Sequence, residues 1–234
     1  MKNEERRIKN FLIFLKCHKA NLHISKLNLI FALRKNTKTR IRMKAKVYQF
    51  MADGFEDVEA LIPVDVLRRG GVDIKTVSIM GRLEVESAHG VTIKADMLFE
   101  DADLSDADLL MLPGGMPGAS NLDAHEGVKA ALVKQAEAGK KVSAICAAPF
   151  VLGKLGLLKG KRATCYPGFE QYLEGATYTA ALFTIDGNII TGEGPAAAFP
   201  YAYSILALLT TEETATEVAT GMRYVHLMMG DYEE

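Results

Sequence analysis

From Met43 onward, short segments with the pattern of strands alternate with segments that have helical spacing. The clearest strand is Asp108–Leu112, in which four apolar side chains follow Asp108 and which ends at Pro113-Gly114-Gly115. Side chains that are apolar on both faces are typical of a buried strand in a parallel sheet. Because parallel strands need crossover connections, the alternation predicts an α/β fold: one domain with a doubly wound, mostly parallel sheet sandwiched by helices.

The remaining elements follow from the same periodicities. The predicted strands are Lys46–Met51, Val72–Ile79, Asp108–Leu112, Val142–Ile145, Ala163–Tyr166 and Ile189–Thr191, with a β-rich stretch around Leu83–Ser87 and Val91–Ile93. The predicted helices are Glu56–Arg69, Gly127–Gly139, Ala147–Leu155, Pro195–Leu209 and Thr214–Met222.

Composition excludes several classes of protein. With 234 residues, of which 49% are apolar, the chain can bury a full core without disulfides or metal staples. No uninterrupted apolar run reaches the length of about 18 residues that a transmembrane helix needs. The three cysteines, Cys17, Cys146 and Cys165, have no CxxC spacing, which argues against a disulfide scaffold and a structural zinc site. We therefore expect a protein of a reducing compartment, the cytoplasm, with no membrane partner and no metal.

Charge is divided unevenly along the chain. Residues 1–42 carry a net charge of +10, with Glu4 and Glu5 as their only acids, and residues 43–234 carry −11. The basic segment has three interpretations: an arm that binds nucleic acid or a membrane surface, an organellar transit peptide, or a segment upstream of a true start at Met43. We expect the third, so that residues 1–42 are not part of the fold and residues 43–234 form the domain, for which no nucleic-acid partner is expected.

Three loops follow predicted strands and carry the chemistry. They are Asp53–Glu59, Pro113–Pro117 and Cys146–Pro149. Sites in open parallel sheets form at the carboxyl ends of the strands, so these loops are predicted to build one site together.

Cys146 lies between a four-residue apolar strand and the small residues that open a helix. This context is that of a nucleophile elbow, where a sharp turn lifts the sulfur above the sheet edge. A following helix N-terminus stabilises a thiolate, so the pKa of Cys146 is expected to be lowered. The alternative is a buried cysteine that serves only as a small apolar side chain.

Glu59 is the candidate partner of this cysteine. It lies in the first turn of a helix, where an acid can simply complement the helix dipole. It also shares a face with Pro63 and Val66, and a carboxyl on a buried face has a raised pKa and can donate a hydrogen bond to a thiolate. Gly114 and Gly115 would offer backbone N–H groups to an oxyanion without side-chain obstruction.

Four segments together resemble the ThiJ/PfpI superfamily, and within it the DJ-one/YajL branch. They occur in the family's order, and the resemblance covers about residues 43–230, which favours a true start at Met43. The segments are Gly54–Asp65, Leu112–Gly115, Ala144–Pro149 and Thr191–Pro195.

The resemblance implies a role for each matching position. Cys146 matches the reactive, oxidation-prone cysteine, and Glu59 matches the glutamate that hydrogen-bonds its sulfur. Gly115 and Ala147 match the residues whose backbone N–H groups form the oxyanion site. It further implies a flavodoxin-like fold, a homodimer and no metal or organic cofactor.

Several positions depart from the family pattern. Ala147 stands where the protease-like branch has a histidine, which removes the base that peptide hydrolysis needs. Tyr166 stands where the DJ-one branch often has a histidine before a proline, and tyrosine is a poorer proton shuttle near neutral pH. Glu193 makes the pocket more acidic and disfavours anionic substrates. His89 matches a turn that lies near the partner subunit's pocket in relatives.

These observations lead to three functional hypotheses. The first is a cysteine-dependent, cofactor-independent enzyme that acts on reactive aldehydes or glycated adducts, of the glyoxalase or deglycase type. The second is a redox-sensing stress protein or chaperone without turnover. The third is an intracellular cysteine peptidase or amidase, which the missing histidine disfavours.

Overall fold

A seven-stranded sheet forms the centre of this computed structural model, which describes residues 44–230. In chain order the strands are β1 (Lys46–Met51), β2 (Asp73–Ser78), β3 (Glu84–Glu86), β4 (Thr92–Lys94), β5 (Met97–Leu98), β6 (Leu109–Leu112), β7 (Lys141–Ile145), β8 (Arg162–Ala163), β9 (Thr177–Tyr178), β10 (Phe183–Asp186) and β11 (Ile189–Gly192). The helices are α1 (Asp57–Arg69), α2 (Gly118–Ala124), α3 (Glu126–Glu137), α4 (Pro149–Lys154), α5 (Ala198–Leu209), α6 (Glu212–Gly221) and α7 (Tyr224–Met229).

The strand order of the central sheet is β10-β11-β7-β6-β1-β2-β5. Every neighbouring pair is parallel except the hairpin of β10 and β11. The short pairs β3–β4 and β8–β9 lie outside this sheet. The predicted mostly parallel α/β sheet is therefore confirmed.

Helices cover both faces of the sheet. On one face α1 packs against α5, and the Gln49 amide of β1 donates to the Ala60 carbonyl of α1 at 2.9 Å. The next residue of β1, Phe50, points to the other face, where its ring lies 5.8 Å from that of Phe99. Helix α2 packs against α3 and α4. Because successive side chains of a strand point to opposite faces, β1 contributes to the packing on both faces of the sheet.

The predicted elements differ from the observed ones mainly at their ends. The helix expected from Ala147 begins at Pro149, after a turn at Cys146, whose φ of 64° lies outside the right-handed helical region. The helix expected from Pro195 opens with a 3₁₀ turn, Pro195–Ala197, before α5. The strand expected to reach Tyr166 ends at Ala163, since the next N–H donates to the Thr191 hydroxyl instead of a strand. Helix α2 was not predicted.

Residues 44–218 form one compact unit, which holds the whole sheet. Residues 219–230 are grouped apart from it and contain the last turn of α6 and the helix α7. The predicted N-terminal extension, residues 1–42, and its boundary at Met43 lie outside the described residues. None of the helices within residues 44–230 combines the length and the apolar character needed to span a membrane.

Candidate active site

The strand order brings the three predicted loops to one edge of the sheet. Strands β1, β6 and β7 are neighbours and parallel, so their carboxyl ends lie side by side. Strand β11 lies next to β7 in the same direction and adds a fourth loop, which begins with Glu193. Cys146 follows β7, Gly114 and Gly115 follow β6, and Glu59 lies in the helix after β1.

Cys146 occupies a sharp turn that its backbone partners hold. Its φ of 64° lies in the left-handed region, which residues with a side chain seldom adopt. Its N–H donates to the Gly192 carbonyl at 3.0 Å, and its carbonyl accepts the Tyr166 N–H at 2.8 Å. Strained backbone of this kind persists where the surroundings over-determine it, and it is common at functional sites. The predicted elbow is thus present, with a side chain that is 9% exposed.

Glu59 is presented to the cysteine from the first turn of α1. The Glu56 carboxylate caps this helix and accepts the Glu59 N–H at 2.7 Å. The Glu59 side chain is 1% exposed, and its Oε2 accepts the Gly114 N–H at 3.1 Å. Its carboxyl also acts on the Cys146 thiol, and each of the two groups shifts the pKa of the other. Its Oε1 is buried without a nitrogen or oxygen partner among the described residues.

The two glycines after β6 make this close approach possible. A Cβ on Gly114 would lie 2.4 Å from the Glu59 Oε2 and 2.6 Å from the Cys146 Cβ, closer than real Cβ contacts. Gly115 has a φ of 87°, which favours glycine. The backbone N–H groups of Gly115 and Ala147 lie near enough to the Cys146 sulfur to lower the pKa of its thiol. The site therefore contains the Cys146 thiol, with one carboxyl and two backbone N–H groups near its sulfur.

The pKa of Glu59 is raised to about 7, and burial is the main cause. This value already includes the effects of Cys146 and Gly114, which lower the pKa, and of the negative charge of Glu56, which raises it. A carboxyl in this range exchanges its proton near neutral pH, which suits a general acid or base.

The pKa of the Cys146 thiol is raised, so the expectation of a lowered value is wrong in direction. Burial is the main cause, and the charge of Glu59 and its hydrogen bond to the thiol add to it, whereas the N–H groups of Gly115 and Ala147 oppose it. The helix that was expected to stabilise the thiolate has only six residues and begins at Pro149. A thiolate in this site is favoured when Glu59 holds the proton, because the carboxylate charge is then absent.

Two further predicted pocket residues lie beside the elbow. Tyr166 donates its backbone N–H to Cys146, and its side chain is 46% exposed. Glu193 is half-buried and follows Gly192, the backbone partner of the Cys146 N–H.

His89 is paired with Asp57. Its Nδ1 lies 2.5 Å from the Asp57 Oδ2, and this contact raises the pKa of the exposed imidazole. Within residues 44–230, no hydrogen bond joins His89 to Cys146 or Glu59.

One cluster could offer ligands to a metal ion: Glu56, Asp57 and His89, whose donor atoms lie within 4.8 Å of one another. Sequence spacing gave no sign of it, because His89 is 32 residues from Asp57 and approaches through the bridge between Phe55 and Ser87. Glu56 already caps α1, and Asp57 and His89 already form an ion pair.

Glu170 is an acidic residue whose effect on Cys165 the sequence analysis missed. It begins the 3₁₀ turn Glu170–Tyr172, and its charge raises the pKa of Cys165, the residue before Tyr166. The only sequence signal is an acid near Tyr166, which carries little information without the fold.

Known proteins resemble this chain in sequence and in fold. Residues 45–208 match the DJ-1/PfpI family. Protein DJ-1 homolog B of Arabidopsis thaliana is 39% identical over 176 residues, 74% of this chain and 40% of that protein. A protein of Pyrococcus abyssi named deglycase is 30% identical over 166 residues, 70% of this chain and 99% of that protein.

The crystal structure of Drosophila melanogaster DJ-1beta superposes with a TM-score of 0.74 at 33% identity, covering 77% of this chain and 98% of that one. The chain spans less than half the length of the Arabidopsis relatives, 40% of homolog B and 44% of homolog A. The structural neighbours confirm the flavodoxin-like fold, and the matches confirm the resemblance to the ThiJ/PfpI superfamily and its DJ-one branch. The chain belongs to the DJ-1/PfpI family.

Proposed function

We propose that this chain is a cysteine-dependent, cofactor-independent enzyme that acts on reactive aldehydes or their adducts, of the glyoxalase or deglycase type. The convergence of the Glu59 carboxyl and the N–H groups of Gly115 and Ala147 on the Cys146 thiol is the observation that carries the proposal. The archaeal relative named deglycase supports the same class.

The first step forms a bond between sulfur and the aldehyde carbon. The Cys146 proton passes to the Glu59 carboxylate, and the thiolate attacks the carbonyl carbon while the π electron pair moves to oxygen. The N–H groups of Gly115 and Ala147, which lower the pKa of the Cys146 thiol, can also stabilise the oxyanion that forms beside the sulfur. The proton on Glu59 then neutralises this oxyanion and gives a hemithioacetal.

With a 2-oxoaldehyde, the Glu59 carboxylate next removes the proton on the former aldehyde carbon and returns it to the neighbouring carbon, while the hydroxyl proton of the former aldehyde carbon moves to the oxygen of the neighbouring carbon. The product is a thioester of a 2-hydroxy acid, which water hydrolyses to release the acid and restore the thiol. The net reaction adds one water to the 2-oxoaldehyde and needs no external oxidant.

With an aminocarbinol adduct, the carbon–sulfur bond forms as the carbon–nitrogen bond breaks. Glu59 protonates the departing amine, which is the task of a general acid. A carboxyl with a pKa of about 7 can serve in both directions.

The alternative, a redox sensor without turnover, uses the same groups differently. Peroxide would oxidise the Cys146 thiolate to sulfenate and a second peroxide to sulfinate, each releasing water or hydroxide. The sulfinate oxygens would accept the N–H groups of Gly115 and Ala147 and a proton from Glu59. A peptidase or amidase is disfavoured, since no histidine hydrogen-bonds to Cys146 within residues 44–230.

Methylglyoxal consumption and lactate formation by the purified full chain test the proposal. We expect turnover that Cys146→Ala abolishes and that Cys17→Ala, a control at the cysteine of the N-terminal segment, retains. Equal turnover by Cys146→Ala would contradict the proposed chemistry. No turnover by the wild type, together with sulfinate on Cys146 after peroxide treatment, would favour the sensor.

A further inference from the structure

Two buried hydroxyl groups lie behind the candidate site, and the proposed reaction does not use them. Ser143 lies on β7, three residues before Cys146, and Tyr201 is the fourth residue of α5. Both residues are 0% exposed, and neither hydroxyl oxygen has a hydrogen-bond partner within residues 44–230. Buried polar groups in folded proteins are nearly always hydrogen-bonded, to protein or to ordered water, so each of these hydroxyls is expected to have a partner.

The register of the sheet shows which face Ser143 occupies. Ser143 of β7 pairs with Met111 of β6, and Met111 pairs with Gln49 of β1. Paired residues on neighbouring strands point to the same face of a sheet. The Gln49 amide donates to the Ala60 carbonyl of α1, so this face is the one that α1 covers. Ser143 therefore faces the same layer as Glu59, the residue before Ala60.

Tyr201 reaches this layer from α5, which packs against α1. A Cβ on Gly192 would lie 3.1 Å from the Tyr201 Cδ2, so the ring lies against the residue whose carbonyl accepts the Cys146 N–H. Burial raises the pKa of the Tyr201 phenol, the nearby Ser143 hydroxyl lowers it, and the charge of Glu59 raises it. The two hydroxyls and the Glu59 carboxyl thus share one buried region.

The two oxygens of the Glu59 carboxyl have different surroundings. Oε2 accepts the Gly114 N–H at 3.1 Å, on the side of the Cys146 side chain. Oε1 is buried without a nitrogen or oxygen partner among the described residues. An unpaired carboxylate oxygen inside a protein is costly, so a donor is expected at Oε1. One water molecule, which forms two to four hydrogen bonds when buried, could satisfy Oε1 and both hydroxyls together.

We propose that Ser143 and Tyr201 are positioning residues, which bind an internal water molecule that donates a hydrogen bond to the Glu59 Oε1. The two hydroxyls donate to the water, and Oε2 stays free to exchange a proton with Cys146. Hydrogen bonds to an ionised carboxyl lower its pKa, so the water favours the carboxylate that accepts the thiol proton. The role in catalysis rests on the proposed function, whereas the water site does not.

NMR of the full chain, labelled with ¹³C at the glutamate side-chain carboxyl carbons, follows Glu59 without relying on turnover. Its signal is assigned by its loss in Glu59→Gln. We expect Tyr201→Phe and Ser143→Ala each to raise the titration midpoint of Glu59 by about 0.5–1 pH unit, about a three- to tenfold change in its acid dissociation constant. The double variant should raise it no further than the larger single effect, because both hydroxyls hold the same water.

Tyr203→Phe is the matched control, because it removes the same group from another buried tyrosine of α5. Its Glu59 titration should equal that of the wild type. Glu56 and Cys146, the other ionisable groups that act on Glu59, are unchanged in all these variants. Unchanged titrations in the two single variants, or an equal rise in the control, would overturn the proposal. Thermal melts of every variant separate a loss of the water from a loss of fold.

A crystal structure of the wild-type full chain, at a resolution that shows ordered water, tests the site even where a variant does not fold. We expect a water oxygen within about 3.2 Å of the Ser143 Oγ, the Tyr201 hydroxyl oxygen and the Glu59 Oε1. A site without such a water, or a direct hydrogen bond between the two hydroxyls in its place, would overturn the proposal.

Turnover separates this inference from the proposed function. With methylglyoxal, we expect the acidic limb of the kcat/KM profile against pH to rise in Tyr201→Phe by the same amount as the Glu59 titration. Absence of turnover, together with the water and the shifted titration, would refute the proposed function and retain the water site. Turnover whose pH profile stays constant while the Glu59 titration moves would overturn the positioning role.

Discussion

At the scale of single residues, the pKa of Glu59, about 7, predicts that this carboxyl is a catalytic acid and not merely a charge that stabilises the start of α1. Glu59→Gln keeps the shape and one hydrogen bond but removes proton exchange. We expect aldehyde turnover to fall on the order of 100-fold, the usual contribution of a general acid or base. Steady-state rates with methylglyoxal measure the effect, and unchanged turnover would leave Glu59 with only its role at the start of α1.

The same carboxyl makes stability depend on pH. Its pKa is raised from 4.5 to about 7 in the folded chain, so the stability that it contributes is fully present below pH 4.5 and is lost as pH rises through 7. A shift of this size corresponds to about 3 kcal/mol. We expect urea unfolding to show this loss in the wild type and not in Glu59→Gln. Parallel pH profiles for the two proteins would show that the carboxyl is not desolvated.

At the scale of elements, α4 reaches the turn that carries Glu170 only because Gly153 has no side chain. A Cβ there would lie 1.9 Å from the Tyr172 carbonyl oxygen, which is backbone and cannot rotate away. We expect Gly153→Ala to lower the free energy of unfolding by about 1–3 kcal/mol, the usual cost of overpacking. Gly221→Ala is the control, since nothing lies within 4 Å of its Cβ position and alanine favours helix. Equal urea midpoints for the two variants would contradict this packing.

The elements also show which parts of the site can be predicted from sequence. Apolar runs before Pro113 and Cys146 indicate parallel strands, and the edge rule for such sheets then places their loops together. The direction of the Cys146 pKa could not be predicted, because it depends on burial and on the distance to Glu59. The effect of Glu170 on Cys165 was missed, since only the fold brings the two residues near each other. His89 is paired with Asp57, and its place near a partner subunit's pocket stays a prediction.

At the scale of the whole molecule, the family match ends well inside the chain. It covers residues 45–208, so neither the basic segment before Met43 nor the residues after 208 belong to the matched region. The basic segment carries +10 and the rest of the chain −11, so the two are expected to attract each other at low salt. A test of whether residues 1–42 belong to the fold must therefore remove this electrostatic attraction.

Deletion of residues 1–42 at high ionic strength provides that test. At about 0.5 M salt, where charges farther apart than roughly 5 Å are screened, we expect the free energy of unfolding to stay within about 0.5 kcal/mol of that of the full chain. A core contact contributes several times more, so a loss above roughly 2 kcal/mol would show that the segment packs on the domain. Urea unfolding of both proteins at low and high salt separates the two cases. A difference that vanishes with salt reflects charge attraction alone, whereas one that persists reflects buried apolar contact.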